Sequence, residues 1–413
     1  MVRLVALIGT LEPPVSPSHP RVERVSVYPP VTAPRSRYRP QRGRLVLVVL
    51  TWITAVLGAV AAVFFAAQAG DVPGATLAVV FALFPLPLVL WAYWWLDRVE
   101  PEPFRYKGAA FVWGAVVAVA ISLALESAAS IWLDVSDEVL TAVVAPIVEE
   151  SAKGAFLVLT LLRARRIIDG VLDGLIVSGL VAIGFAAVEN LGYYAVSYLG
   201  IGDGPQQLAG PGGATATFVV RGLFSPFAHP LFTSAIGIAM GLAVGRRSRT
   251  VRILLMIGGL LTSILLHALW NGSLVIGGGV GFLLVYLVLA ALLVGLGVLA
   301  IVLRQGQLTT LWKSLSYAAS YRGWLHPAEV PFLVSFSRRR AARTYAKIHR
   351  GKPGAKTVQE YQRLATRLGF LHDQVMRGKA PADGVDRVYA VLDAMDAIRP
   401  QVLLPPALPP GMR

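Results

Sequence analysis

The chain has 413 residues, of which 55% are apolar and only 15% charged, and its mean hydropathy is +0.63. Soluble globular chains carry nearer ~25% charged residues, and the absence of cysteine excludes disulfide frameworks, thiolate metal sites, iron–sulfur clusters and cysteine nucleophiles. The net charge of +15 sits at the ends: 8 Lys and Arg fall in residues 1–44, 12 in 45–303 and 18 in 304–413.

Residues 1–44 hold eight prolines and eight arginines with no apolar period long enough to pack, the composition of a disordered, basic, Pro-rich cytoplasmic tail. From Leu45 onward, apolar stretches recur that are long enough to cross ~30 Å of hydrocarbon at ~1.5 Å per residue. Eight are expected, over 45–67, 73–96, 108–133, 139–162, 171–196, 215–244, 251–272 and 277–303. The loops after the second, fourth and sixth carry Arg98, Arg105 and Lys107, then Arg163, Arg165 and Arg166, then Arg246, Arg247 and Arg249; the odd-numbered loops carry no Lys or Arg. Positive residues stay on the cytoplasmic side, so both termini are expected in the cytoplasm of a bacterial-type cell membrane. Residues 304–413 return to ordinary composition, with apolar residues at helical spacing over Val358–Met376 and Val385–Ile398. The fold expected is an all-α polytopic membrane protein: an eight-helix domain over 45–303 and a small basic helical cytoplasmic appendage over 304–413 with a Pro-rich end. Arg338, Arg339, Arg340 and Arg343 are expected near anionic headgroups; no nucleic-acid motif accompanies them, and no nucleic-acid partner is expected.

Ionisable side chains deep in a bilayer cost roughly 2.5–3.5 kcal/mol each on insertion scales, so each needs a partner or a task. The fourth span carries Glu149, Glu150 and Lys153, the fifth Glu189 and Asn190, the sixth Arg221 and His229, and the seventh His267 and Asn271. Glu149 and Lys153 are four apart and Glu150 and Lys153 three; His267 and Asn271 are also four apart, so each set shares a helix face. At ~1.5 Å per residue Glu149 lies about 15 Å, His229 about 20 Å and His267 about 8 Å below the outer surface, which allows one common site. Two carboxylates and two imidazoles can activate water, and an imidazole with an Asn amide can donate to a developing oxyanion. The set suffices for peptide hydrolysis without a covalent intermediate and without a cofactor. The alternative is a zinc site in which His229, His267 and a Glu bind the metal with one position open. Glu126 and Arg221 are expected to form a structural pair, and Asp169 and Asp173 to cap the fifth span in solvent.

The motifs DRVEPEP (Asp97–Pro103), EESAK (Glu149–Lys153), DGVLDG (Asp169–Gly174) leading into GFAAVEN (Gly184–Asn190), the His229 segment and HALWN (His267–Asn271) occur in order over roughly residues 90–275. In these the chain resembles the PrsW family of intramembrane proteases, themselves similar to type II CAAX prenyl endopeptidases. The resemblance implies that Glu149 and Glu150 position the attacking water and that His229, His267 and Asn271 bind water or oxyanion; Lys153, one turn away, can hold one glutamate ionised, and Glu189 and Asn190 either support the site or clamp two helices together. It departs at Lys153, which follows the first Glu at four residues where the CAAX relatives have an Arg at five. The substrate implied is a single-span membrane protein such as an anti-sigma factor, cut near the extracytoplasmic side. A proton-coupled transporter is the competing class, since membrane Glu and His also build proton relays, but the inverted repeats it calls for are absent from the sequence.

Overall fold

The computed structural model describes residues 72–163, 168–201, 209–275, 278–380 and 382–406; the tail 1–44 and the first expected span, 45–67, lie outside them. Among the described residues there is no strand, and six helices are long and apolar enough to cross a membrane: α1 (Val72–Leu96), α2 (Phe104–Leu133), α4 (Val171–Leu199), α5 (Pro211–Val244), α6 (Arg249–Val275) and α7 (Gly278–Ser320). The fourth expected span forms α3, over residues 137–163, and is set apart from the six by Glu149, Glu150 and Lys153. Ser136 caps it, its Oγ accepting from the Val139 amide at 3.4 Å. α1 is broken at Phe84–Pro85, where proline has no N–H for the helical ladder.

α4 is the central helix, buried on nearly every side. Its glycines let neighbours approach backbone to backbone: a Cβ on Gly174 would strike the Gly237 carbonyl of α5, and one on Gly184 the Phe111 carbonyl of α2. Without a hydrophobic force between helices in lipid, such small-residue contacts are what allows close association. The core around α4 joins Tyr93, Leu157, Ile183, Ile236 and Met240 from four helices, while Leu254, Leu261, Leu284 and Val294 present apolar side chains outward on α6 and α7, as a lipid-facing surface does.

Three helices widen into π-turns, Trp113–Ala118 in α2, Leu140–Val144 in α3 and Val219–Phe224 in α5. Side chains bond to backbone carbonyls of two of these turns. Asn271 Nδ2 donates to the Thr141 carbonyl at 2.9 Å, and Ser225 Oγ to that of Val220 at 2.7 Å.

α7 does not end at 303 as expected but runs unbroken to Ser320. Arg304 is buried where the boundary was expected, its Nε donating to the Trp95 carbonyl at 3.2 Å with the guanidinium 4.0 Å from the Trp95 ring. The extension packs against α8 (Val330–Val334), α9 (Phe336–Met376) and α10 (Gly384–Ile398) around Leu311, Leu315, Leu333, Tyr361, Leu368 and Val388. α9 kinks at Gly351, whose φ of 66° is in the left-handed region. Val99, in the loop between α1 and α2, is 1% exposed within this second core, and Gln374 Nε2 donates to Asp169 Oδ2 at 2.6 Å. The C-terminal helices are thereby tied to two loops of the membrane-type bundle.

Candidate active site

The site starts from α3. Glu149, Glu150 and Lys153 all fall within one helical turn and are 5%, 0% and 0% exposed. Lys153 Nζ donates to Glu149 Oε2 at 3.0 Å and to Glu150 Oε1 at 2.8 Å, and the 3.2 Å contact to His229 Nδ1 from α5 completes its set of three. An ammonium can only donate, so Nδ1 accepts and the proton of His229 is on Nε2. That nitrogen faces Glu189 Oε2 of α4 at 2.7 Å. Phe185, one turn before Glu189, lays its ring 3.8 Å from the ammonium.

The two carboxylates are not equivalent. Glu150 uses both oxygens: Oε1 faces Lys153 and His267 Nδ1, the latter at 3.1 Å, while Oε2 accepts from Thr233 Oγ1 at 2.9 Å and Ser263 Oγ at 2.6 Å. Glu149 accepts one hydrogen bond among the described residues, from Lys153 to Oε2; His267 Nδ1 lies 3.9 Å from the same oxygen. Its second oxygen has no partner among the described residues. The imidazoles of His229 and His267 meet edge to face at 5.1 Å, and Phe232 stacks on His267 at 4.9 Å, closing the site on the α5 side.

Of the residues singled out in the sequence, Glu149, Glu150, Lys153, His229, His267 and Glu189 therefore form one contiguous network. Asn190 joins through Arg221, which donates from Nε to Asn190 Oδ1 at 2.7 Å and pairs with Glu189 Oε2 at 2.9 Å. Asn271 sits one turn from His267 but is bonded to the π-turn of α3 rather than to the cluster. Two expectations fail. Arg221 pairs with Glu189 and not with Glu126, because the π-turn containing Arg221 aims its guanidinium toward α4, over the Tyr193 ring at 3.7 Å. Asp173 does cap α4, its Oδ2 accepting from the amides of Asp169 and Gly170 at 3.0 and 3.1 Å, but it is 2% exposed and not solvated. Thr233 and Ser263 went unremarked in the sequence, although helical spacing marks both: Thr233 is four residues after His229 and Ser263 four before His267.

Outside the helices, the Asp97–Pro103 loop gathers acid. Asp97 binds Lys107 and accepts from the Glu102 amide at 3.1 Å. Burial pushes the Glu102 carboxyl up to about 8, helped by the charges of Asp97 and Asp169, and burial also holds Glu100 well above the ordinary range.

Glu149, Glu150, His229 and His267 can each offer one ligand atom, all within 4.8 Å of one another. Two imidazoles and two carboxylates suit a zinc-type cation in number and kind. Three of these four groups are the ones already gathered around the Lys153 ammonium.

Residues 102–296 match the family model described as PrsW family intramembrane metalloprotease, a stretch that contains every residue of this network. This region is a PrsW-family domain. No curated protein and no solved structure matches the chain. The match of residues 102–296 to this family supports an intramembrane peptidase, the six apolar helices among the described residues suit a multi-pass membrane protein, and the buried Glu/His cluster is compatible with metal binding or with direct catalysis.

Proposed function

We propose that this PrsW-family protein hydrolyses a peptide bond of a single-span membrane protein, with Glu149 as the base that activates water. The observation that carries this reading is the asymmetry of the pair: Glu150 has four partners and Glu149 keeps an oxygen for water. In the proposed step, the water oxygen attacks the scissile carbonyl carbon while its proton passes to Glu149. As the C–N bond breaks, Glu149 returns that proton to the departing amine nitrogen. Glu150 and Lys153 fix the position of Glu149; Glu189 holds His229 in the tautomer that accepts from Lys153. His229 has both nitrogens engaged in the resting site, so stabilising the oxyanion falls to the remaining N–H of Asn271. Anti-sigma factors, cut near the extracytoplasmic side, fit as the substrate class on the family resemblance.

The donor set and the family description favour a second reading, in which Glu149, Glu150, His229 and His267 hold a divalent cation. Such an ion would supply Lewis-acid polarisation of the carbonyl, and Lys153 would have to release the acceptors it now holds. Elemental analysis of the purified protein, with thermal unfolding measured before and after chelation, separates the two: bound metal and a chelator-induced loss of stability select the metal reading. Quantitative membrane proteomics comparing the wild type with Glu149→Gln tests proteolysis itself. Single-span proteins should accumulate uncut in the variant, and identical membrane proteomes would overturn the proposal.

A further inference from the structure

One carboxylate near the site takes no part in the network. Glu126 lies on α2, which packs along α3, and it interacts electrostatically with Glu149, Glu189 and Lys153. Its Oε1 is buried and has no hydrogen-bond partner among the described residues, and the same holds for the Oγ of Ser122, four residues earlier and 3% exposed. The two are four residues apart and share one face of α2, while Leu123 and Leu125 beside them point outward. A third carboxylate beside two others is unfavourable in an apolar bundle unless something donates to it. Proteolysis in a membrane brings such a donor. A helical peptide bond must unwind to expose its carbonyl, and unwinding frees N–H and C=O groups that lipid cannot satisfy.

Resting on the proteolytic reading above, we infer that Glu126 and Ser122 form the subsite that receives the unwound backbone of the substrate next to the scissile bond. Glu126 accepts an N–H, and the Ser122 hydroxyl, which can donate or accept, takes a group further along. The spacing matches: four residues of helix rise about 6 Å, and equivalent backbone groups of an extended chain repeat every ~6.7 Å. Both residues are positioning residues that bind peptide backbone; the proton transfers stay with Glu149.

The chain lacks cysteine, so single cysteines report cleanly. Ser122→Cys, Glu126→Cys and the outward Leu125→Cys are made in the full chain carrying Glu149→Gln and reconstituted in phosphatidylcholine liposomes. The probe is a synthetic single-span peptide with a Gly-Ser centre and one cysteine there. Disulfide cross-linking several-fold stronger at 122 and 126 than at 125 is expected; equal yields at all three overturn the subsite. In parallel, Glu126→Gln in the otherwise wild-type chain should raise KM for a cleaved reporter about tenfold, the scale of one lost charge-assisted hydrogen bond, with kcat little changed. A fall in kcat at constant KM also overturns it. Cleavage without cross-linking at 122 and 126 removes the subsite and leaves the protease, whereas cross-linking without any Glu149-dependent cleavage removes the protease and leaves the peptide-binding face.

Discussion

Replacing Glu150 by Gln should unfold the protein far more readily than replacing Glu149. Glu150 is completely buried and joins three helices: its oxygens bind Lys153 on its own helix, Thr233 on α5, and Ser263 and His267 on α6. Gln keeps one acceptor oxygen for Lys153 and His267, its NH₂ group is accepted by the Thr233 and Ser263 hydroxyls only if both rotate, and the negative charge on which all four contacts converge is lost. Lys153, itself fully buried, then retains one of its two carboxylate partners. Breaking a buried ion pair on one side costs about 3–5 kcal/mol. Glu149→Gln also takes one carboxylate from Lys153, but its amide keeps an oxygen for that single bond and has no further donors to rearrange, so its cost should be smaller by about 1–3 kcal/mol, the scale of disrupted buried hydrogen bonds. Thermal unfolding in detergent micelles, followed by intrinsic fluorescence of the nine tryptophans, measures both. Equal shifts in the two variants, or a smaller shift for Glu150→Gln, would refute the division between an anchoring and a working carboxylate.

The Asp97–Pro103 loop gives a pH dependence. Glu102 is raised from 4.5 to about 8, so the folded loop binds the proton more tightly than the unfolded chain, and its stabilising contribution is complete below about 4.5 and lost as pH rises through about 8. Hydrogen exchange of residues 97–107, corrected for the intrinsic pH effect, should speed up across that window, and Glu102→Gln should flatten the response. Gly237→Leu should break the α4–α5 backbone contact, since even a Cβ at the facing Gly174 meets the Gly237 carbonyl; overpacking costs typically about 1–3 kcal/mol, visible as a lower unfolding midpoint, while the same change at Gly258, which has open space around it, should be tolerated.

The membrane helices were legible because one rule dominates in lipid: a spanning segment must be long, apolar and internally hydrogen-bonded. The same rule made the ionisable residues stand out, and i, i+3 and i, i+4 spacing already linked Glu149, Glu150 and Lys153. Pairings between helices were less legible, since they depend on how each helix is rotated. Arg221 illustrates this: an α-helical reading of α5 cannot foresee that the π-turn at Val219–Phe224 turns it to Glu189 and leaves Glu126 unpaired. The extension of α7 through residue 303 was hidden for another reason. Hydropathy marks where a helix leaves lipid and is silent on where the helix ends, and Leu311 and Leu315 find their partners in α8, α9 and α10.

Catalysis by Glu149 is tested most directly with purified protein in liposomes and a single-span reporter peptide, comparing the wild type with Glu149→Gln at matched folded amounts. Removal of the base should lower the cleavage rate by about 10²–10⁴-fold while reporter binding persists. Cleavage by Glu149→Gln at the wild-type rate would contradict the mechanism.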